Sequence, residues 1–159
     1  MTNPFLFSLE FELALGNAGA NANSLDRGYA YSLLAREIQA ALPWLSDGGN
    51  GFFTPGFRYY LDSGAHPEMA LVETSSPWQF LELKRAAFAV LATAVERVRQ
   101  TLPGLVLLAN NHDYSSPATW GCHENYAIRV APVTLMRGMV PFLATRHLFA
   151  GNGRIDYRG

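Results

Sequence analysis

The chain has 159 residues, of which 49% are hydrophobic and 16% are charged, a composition typical of one folded domain with a single core. Its formal net charge of -1 offers no basic field of the kind that binding to duplex nucleic acid usually needs, so we expect no nucleic-acid partner. The single cysteine, Cys122, excludes an internal disulfide framework, and no apolar run approaches the roughly 18 residues of a membrane span. We therefore expect a cytoplasmic protein with no membrane partner.

Patterns of apolar residues divide the chain into strands and helices in the order β-α-β-α-β-β-α. The predicted elements are, in chain order, a strand over 5–15, a helix over 25–42, a strand over 57–62, a helix over 77–101, strands over 105–110 and 126–131, and a helix over 133–149. Ser24 and Ser76 are the predicted N-caps, Pro141 predicts a kink or a late start in the last helix, and the stretch 46–56 is predicted as a loop. This order favours an α+β fold, a mainly antiparallel sheet with helices packed on one face.

A first polar group lies on the strand patterns. Glu10 and Glu12 are two residues apart and project from one face of the first strand, and a second set lies on or just after the strand over 57–62: Arg58, Tyr60, Asp62 and Glu68. If the two strands are neighbours, up to four carboxylates converge, and such a group needs a hard cation, magnesium before calcium or manganese. An arginine beside it would suit a phosphate or a carboxylate. This pattern predicts a nucleotide-phosphate site on the open face of a sheet.

A solvated strand face is the alternative explanation for these charges, since antiparallel sheets commonly expose one face to water. It explains Glu10 and Glu12 taken alone. It explains Arg58, Tyr60 and Asp62 less well, because an ordinary solvent face tends to use lysine and threonine. His66, which precedes Pro67, is predicted to fix a loop by hydrogen bonding.

A second polar group lies in the stretch 110–126, NNHDYSSPATWGCHENY, which is predicted as a strand-loop-strand corner. A zinc site built from His66, His112, Cys122 and His123 is not favoured, because an adjacent cysteine and histidine do not form the paired spacing of structural zinc ligands. A turn fixed by asparagine side chains is the simpler interpretation. The sequence has no Gly-x-Ser-x-Gly elbow and no Walker-type glycine loop, so it does not indicate a serine hydrolase or a P-loop enzyme.

Several segments together resemble one known family. They are SLEFE at 8–12, NGFFTPGFRYYLDSGAHPE at 50–68, NNHD at 110–113, GCHENY at 121–126 and PFLATRHLFAGNGR at 141–154. In this order they are similar to the N-terminal part of the Pup ligase and Pup deamidase/depupylase family, the glutamine-synthetase-like carboxylate-amine ligases that attach or remove the prokaryotic ubiquitin-like protein (Pup). The resemblance implies that 1–159 is a single, incomplete glutamine-synthetase-like catalytic domain.

The resemblance also implies roles for individual residues. Glu10 matches a magnesium-ligand glutamate of the family, Tyr60 a residue of the metal site, and Glu68 another magnesium ligand. Arg58 matches an ATP-contacting arginine, and Asp62 matches the catalytic aspartate. The implied cofactors are ATP and Mg2+, and the implied partners are Pup, or a similar small tag protein, and the lysines of substrate proteins.

The reaction implied for a ligase is phosphorylation of a terminal glutamate side-chain carboxylate by ATP, followed by attack of a substrate lysine to form an isopeptide bond. In that reaction the aspartate acts as a base on the lysine amine, whereas in deamidase/depupylase relatives it has a nucleophilic or water-activating part. The short interval between the first strand and the strand over 57–62 favours the ligase-like branch, because depupylases typically carry a long insertion there.

The chain also departs from the family pattern. Leu71 stands where the family has a nucleotide-contacting threonine, and His112 stands where threonine is common. Family members are much longer, so we expect a fragment, a truncated gene model or a natural remnant rather than a complete active enzyme. A non-catalytic binding or regulatory remnant and a structural sheet domain with an acidic solvent face stay open as alternatives.

Overall fold

The computed structural model describes residues 5–19, 25–47, 50–54, 56–113 and 116–148. Within these ranges the chain forms eight strands and three α-helices, followed by a short 3-10 helix at Arg146–Leu148. The strands are β1 (Phe5–Glu12), β2 (Ala14–Asn17), β3 (Trp44–Asp47), β4 (Asn50–Phe53), β5 (Arg58–Asp62), β6 (His66–Ala70), β7 (Leu105–Leu108) and β8 (Cys122–Ile128). The helices are α1 (Arg27–Ala41), α2 (Pro77–Val98) and α3 (Pro132–Thr145).

One antiparallel sheet organises the described part of the chain. Its six strands follow the order β3-β4-β5-β6-β1-β8, and every pairing is antiparallel. The strands β2 and β7 form a separate antiparallel pair, since the chain passes from β1 to β2 at Leu13. The expected α+β fold with a mainly antiparallel sheet is confirmed.

The two faces of this sheet differ because successive strand residues point to opposite sides. The side chains on one face are apolar and pack against α1 and α2; those buried to 8% exposure or less include Leu9, Phe11, Phe57, Tyr59, Met69 and Leu71 from the sheet. The helices contribute Ala30, Leu34 and Ile38 from α1 and Ala87, Leu91, Ala94, Val95 and Val98 from α2. The opposite face of the same strands carries the polar residues.

Helix boundaries follow local hydrogen bonding. Ser76 caps α2 by accepting a hydrogen bond from the backbone N–H of Gln79, and Pro77 occupies the first turn, where its missing N–H leaves no bond unmade. In α1 the cap is Asp26, whose carboxylate accepts from the N–H of Tyr29 at 2.9 Å. The predicted cap Ser24 lies outside the described residues.

Three sequence predictions about strands were wrong. The predicted loop over 46–56 contains β4, which pairs with β3 and β5 and buries Phe53 to 4% exposure. The segment His66–Ala70 forms β6, although its proline and charges gave no alternating pattern. The strand predicted over 126–131 begins at Cys122, within the segment predicted as a turn.

Helix predictions differ at the ends. The long helix ends at Val98 rather than Thr101, and the last helix already begins at Pro132 and contains Pro141. The late start predicted from Pro141 is therefore wrong. The hydroxyl of Thr145 donates to the carbonyl of Pro141 at 2.8 Å.

The helix α3 has no buried residue. Its apolar side chains are exposed by 39% to 60%: Val133, Met136, Val140, Phe142 and Leu143. No helix in the described ranges is long and apolar enough to cross a membrane. Because none of its residues is buried, α3 contributes little to the core that α1 and α2 form.

This difference between the helices gives a stability prediction. Leu34→Ala removes a side chain that is 0% exposed and should lower the free energy of unfolding by about 2–5 kcal/mol, since it leaves a cavity. Met136→Ala, at 60% exposure, is the matched control and should change it by less than about 0.5 kcal/mol. Urea denaturation followed by circular dichroism measures both, and equal losses would contradict this assignment of the core.

Candidate metal and anion site

The polar residues predicted from the sequence lie together on the open face of the sheet. The order β5-β6-β1-β8 and the strand register align them in two cross-strand rows. One row is Arg58, Ala70, Glu10 and His123, and the next is Tyr60, Glu68 and Glu12. Directly opposed residues on neighbouring strands have Cβ atoms about 4.5–5.5 Å apart, so each row brings its side chains into contact range.

Glu68 on β6 is the centre of this face. The sequence argument required the strands of Glu10 and Asp62 to be neighbours, and they are not, because β6 lies between them. Glu68 is opposite Glu12 on one side and Tyr60 on the other, so the carboxylates still converge. Because β6 carries Glu68 between β1 and β5, residues of these two strands, which are far apart in the sequence, contribute to one site.

Two overlapping groups of side chains have the geometry of metal ligands. Oxygen or nitrogen atoms of Glu10, Glu68 and His123 all lie within 4.8 Å of one another, and so do those of Glu12, Asp62 and Glu68. Both groups share Glu68. Carboxylate oxygens favour hard cations such as magnesium, whereas the imidazole of His123 is a ligand more usual for transition metals.

The electrostatics of Glu68 are unfavourable without a cation. The side chain is only 3% exposed, and burial raises the pKa of its carboxyl above the ordinary value of 4.5. The negative charges of Asp62, Glu10 and Glu12 raise this pKa further, whereas a hydrogen bond from the Tyr60 hydroxyl opposes the shift. The same hydrogen bond also affects Tyr60, since burial and the bond to Glu68 both raise the pKa of its phenol.

Neighbouring groups on β8 orient Glu10. The Nδ1 atom of His123 lies 3.3 Å from one carboxylate oxygen of Glu10, and the side-chain amide of Asn125 donates to the other oxygen at 3.0 Å. Ser8 is also within reach of this amide, at 3.5 Å. These contacts hold one carboxylate oxygen of Glu10 beside the ring nitrogen of His123.

Glu12 is held by the backbone at Gly121. The N–H of Gly121 donates to a carboxylate oxygen of Glu12 at 2.8 Å, and the N–H of Glu12 donates to the carbonyl of Gly121 at 3.1 Å. A Cβ atom at position 121 would lie 2.7 Å from the carboxylate oxygen, so only glycine permits this approach. The conformation of Glu12 thus depends on the loop before β8.

Arg58 forms the second part of the site. Its guanidinium carbon lies 4.0 Å from the ring centroid of Tyr60 and 5.3 Å from that of Phe52, so the group is held between two aromatic rings. Its buried Nε has no hydrogen-bond partner among the described residues. A guanidinium oriented in this way, with unused donor capacity, is suited to an anion.

Asp62 ends β5 at a tight turn. Gly64 and Ala65 have positive φ angles of 81° and 61°, and the N–H of Ala65 donates to the carbonyl of Asp62 at 3.2 Å. Glycine adopts this conformation freely, whereas for Ala65 it is uncommon. The turn returns the chain as β6, so that His66 lies opposite Asp62.

The histidines and the cysteine of the second polar group separate in the structure. Cys122 faces the core and His123 the open face, because they are adjacent on β8. His66 has its Nδ1 3.2 Å from the carbonyl oxygen of Leu13, the structural role predicted for it. Sequence reasoning missed His123 as a member of this site, because its segment has no alternating apolar pattern that would assign the side chain to one face of a strand.

The chemistry of these donors fits a magnesium–nucleotide complex. Four carboxylates and one histidine converge on this face, and Arg58, whose Nε has no hydrogen-bond partner among the described residues, lies two residues before Tyr60 on β5. Magnesium usually takes one or two carboxylates together with phosphate oxygens. Residues able to hold the metal are Glu10, Glu12, Asp62, Glu68 and His123.

The comparisons with known proteins identify the family. Residues 12–159 match the family model described as "Pup-ligase protein", so the chain belongs to the Pup ligase family. It is similar to the Pup–protein ligase of Corynebacterium jeikeium, with 33% identity over 86% of this chain and 30% of that protein. It is also similar to that of Bifidobacterium dentium, with 31% identity over 97% of this chain and 32% of that protein.

A solved structure agrees with this assignment. The fold matches a chain in the crystal structure of the complex between the prokaryotic ubiquitin-like protein Pup and its ligase PafA, with a TM-score of 0.79 and 26% identity. The match covers 98% of this chain and 32% of that chain. The described chain thus spans about a third of the length of the relatives it matches.

The raised pKa of Glu68 predicts a dependence of stability on pH. The folded state binds this proton more tightly than the unfolded state, so the stability from protonation is present below about pH 4.5 and is lost as the pH rises through the folded-state value. Glu68→Gln has no carboxyl to ionise at this position, so it does not lose this stability as the pH rises. Its melting temperature at pH 7 without metal should therefore be above that of the wild type.

Magnesium should stabilise the two proteins to different extents. At pH 7 it should stabilise the wild type by neutralising the carboxylates and should stabilise Glu68→Gln much less. Glu82→Gln, on the exposed surface of α2, is the control and should behave as the wild type. A melting temperature of Glu68→Gln below that of the wild type in metal-free buffer would refute the argument.

Proposed function

We propose that the chain provides the metal- and nucleotide-binding part of an ATP- and magnesium-dependent Pup–protein ligase. Its reaction would join a terminal glutamate side-chain carboxylate of Pup, or of a similar small tag protein, to the lysine of a substrate protein. The observation that carries the proposal is the position of Glu68, at the centre of two ligand groups on the same face as Arg58. Membership of the Pup ligase family supports the choice of substrates.

The assignment of residues follows from their positions. Glu10, Glu68 and His123 would hold one cation, and Glu12 and Glu68 with Asp62 beside them could hold a second. Bound magnesium would supply charge neutralisation for the phosphates. Tyr60 belongs to the metal site through its hydrogen bond to Glu68, and it orients that carboxylate rather than carrying charge itself.

Arg58 is assigned to the nucleotide phosphates. Its two aromatic neighbours hold the guanidinium plane, so its donors are oriented before any ligand binds. Preorganised donors of this kind stabilise negative charge without reorganisation during the reaction. Leu71 is only 6% exposed and packs in the core, so the replacement of the family's threonine adds apolar contact and leaves the polar residues of the open face in place.

Asp62 is assigned to the chemical step. It lies at the far end of β5 from Arg58 and is only partly buried, so that an incoming amine can reach it. An ionised carboxylate there can accept the proton of the lysine ammonium as the amine attacks. The proposal includes a cytoplasmic setting, which the single cysteine of the chain supports.

The ligase branch is favoured over the deamidase/depupylase branch by two observations. The interval between β2 and β5 is short, and its described residues form α1 and the strands β3 and β4. The curated relatives described above are Pup–protein ligases. A deamidase/depupylase function instead predicts that a tag is released from a conjugate and that no new conjugate forms.

Nucleotide binding tests the assignment of Arg58. Isothermal titration of the chain with ATP in magnesium should give saturable binding, and Arg58→Lys should weaken it by about tenfold or more, because lysine cannot offer the planar donor fork. Arg85→Lys, on an exposed position of α2, is the matched control and should bind as the wild type. Equal affinities of the Arg58 and Arg85 variants would remove Arg58 from the site.

The chemical role of Asp62 is tested separately. With this segment placed in a full-length Pup–protein ligase, Asp62→Asn should retain binding of ATP in the presence of magnesium and lose formation of the tag–lysine conjugate by at least about a hundredfold, the range that general bases contribute. Conjugates are measured by gel shift with the tag and a lysine-bearing protein, with Glu73→Gln as the exposed carboxylate control. Full conjugation by Asp62→Asn would contradict the role of this aspartate as the general base.

A further inference from the structure

Asn125 on β8 is a polar residue of the open face to which the proposed function gives no role. Its side-chain amide lies 3.0 Å from one carboxylate oxygen of Glu10, Oε1, and 3.5 Å from the hydroxyl oxygen of Ser8. An ionised carboxylate can only accept hydrogen bonds, so the amide nitrogen is the atom that faces Glu10. Asn125 therefore donates to one of the two oxygens that Glu10 could offer to a cation.

The strand register shows in which direction this hydrogen bond holds Glu10. Asn125 is opposite Ser8, which lies two residues before Glu10 on β1. Glu68 is opposite Glu12, which lies two residues after Glu10. Asn125 and Glu68 are therefore on opposite sides of Glu10 along the strand, and the hydrogen bond holds Oε1 away from Glu68.

The other oxygen of Glu10 faces the remaining ligand atoms. Oε2 lies 3.3 Å from Nδ1 of His123, which is opposite Glu10 on β8. Glu10, Glu68 and His123 each place one ligand atom within 4.8 Å of the other two. A cation held by this group therefore meets Glu10 through Oε2, because Oε1 is turned toward Asn125.

A carboxylate that offers a single oxygen discriminates between cations. Magnesium requires a nearly ideal octahedron with ligands at about 2.0–2.1 Å, and single oxygens fit this geometry. Calcium is larger, takes about six to eight oxygen ligands and accepts both oxygens of one carboxylate. The imidazole nitrogen of His123 adds to the discrimination, since calcium binds through oxygen.

We propose that Asn125 is a positioning residue that makes Glu10 a one-oxygen ligand and thereby favours magnesium over calcium at the group of Glu10, Glu68 and His123. The proposal rests on the metal-binding function proposed above. Asn125 acts through Glu10 and does not itself touch the cation. Removing a hydrogen-bond partner of a metal ligand typically lowers metal affinity by about 10- to 100-fold.

The test compares the wild type with Asn125→Leu and Asn125→Ala. Leucine has nearly the shape of asparagine and no donor, and alanine removes the amide altogether. Asn125 is exposed on β8, an edge strand of the described sheet, so both variants should fold. Gln100→Ala, which removes an exposed amide just after the end of α2, is the matched control.

Cation affinities are measured by competition with Mn2+, whose electron paramagnetic resonance signal in solution decreases when the ion binds. Mg2+ or Ca2+ is then added to displace Mn2+ from the 159-residue chain without nucleotide. Both Asn125 variants should weaken Mg2+ binding by about tenfold. Ca2+ binding should change by less than about threefold, because calcium accepts a carboxylate that turns both oxygens toward it. Gln100→Ala should keep both affinities of the wild type.

Glu12→Gln separates the two ligand groups in this experiment. It removes a carboxylate from the group of Glu12, Asp62 and Glu68 and keeps an oxygen that can accept from the N–H of Gly121. The Asn125 variants in this background should show the same fall in the ratio of the Mg2+ affinity to the Ca2+ affinity, since Asn125 contacts the other group.

Circular dichroism and thermal melting without metal check that each variant is folded, with a melting temperature within about 3 °C of the wild type. Either Asn125 variant is sufficient if the other does not fold. An unchanged Mg2+ affinity, or equal weakening for Mg2+ and Ca2+, would overturn the selective role of Asn125. Either result leaves the proposed metal- and nucleotide-binding function intact. A wild type that binds none of the three cations would instead reject the metal site, and the positioning role with it.

Discussion

The burial of Glu68 between Glu12 and Tyr60 is the interaction on which the open face depends. A carboxylate that is 3% exposed and has three further carboxylates as neighbours is stable as an anion only with a compensating charge. The Tyr60 hydroxyl supplies one hydrogen bond and the raised pKa of Glu68 makes its protonation easier, but neither neutralises the whole group. The fold thus holds at this position a group of carboxylates whose negative charge a bound cation would neutralise.

This arrangement is held in place by the apolar face of the same strands. Met69 is 0% exposed and neighbours both Glu68 and Ala70, so packing against α1 and α2 determines which side of β6 the glutamate faces. Tyr59 is 1% exposed, and its packing likewise determines that Arg58 and Tyr60 on β5 point to the open face. A shift in the register of either strand by one residue would move the charged groups into the core, so the packing of the apolar face determines the register on which the site depends.

Along β5 the open face changes from cationic to anionic. Arg58 lies at one end and Asp62 at the other, with Tyr60 and its partner Glu68 between them. Trp120 and His66 extend the anionic end into a cleft with an aromatic wall.

The sequence by itself determined the helices α1 and α2, the alternation of β1 and β5, and the types of residue in the site, because local periodicity and capping are properties of short segments. Glu10, Arg58, Tyr60 and Asp62 were predicted as site residues from these patterns, and Glu68 from its position just after the strand of Arg58. Only the tertiary structure decided that β6 lies between β1 and β5 and that His123 faces Glu10 from β8. The segments HPE and GCHENY carry no alternating apolar pattern of their own, and they become strands because the neighbouring strands satisfy their backbone hydrogen bonds.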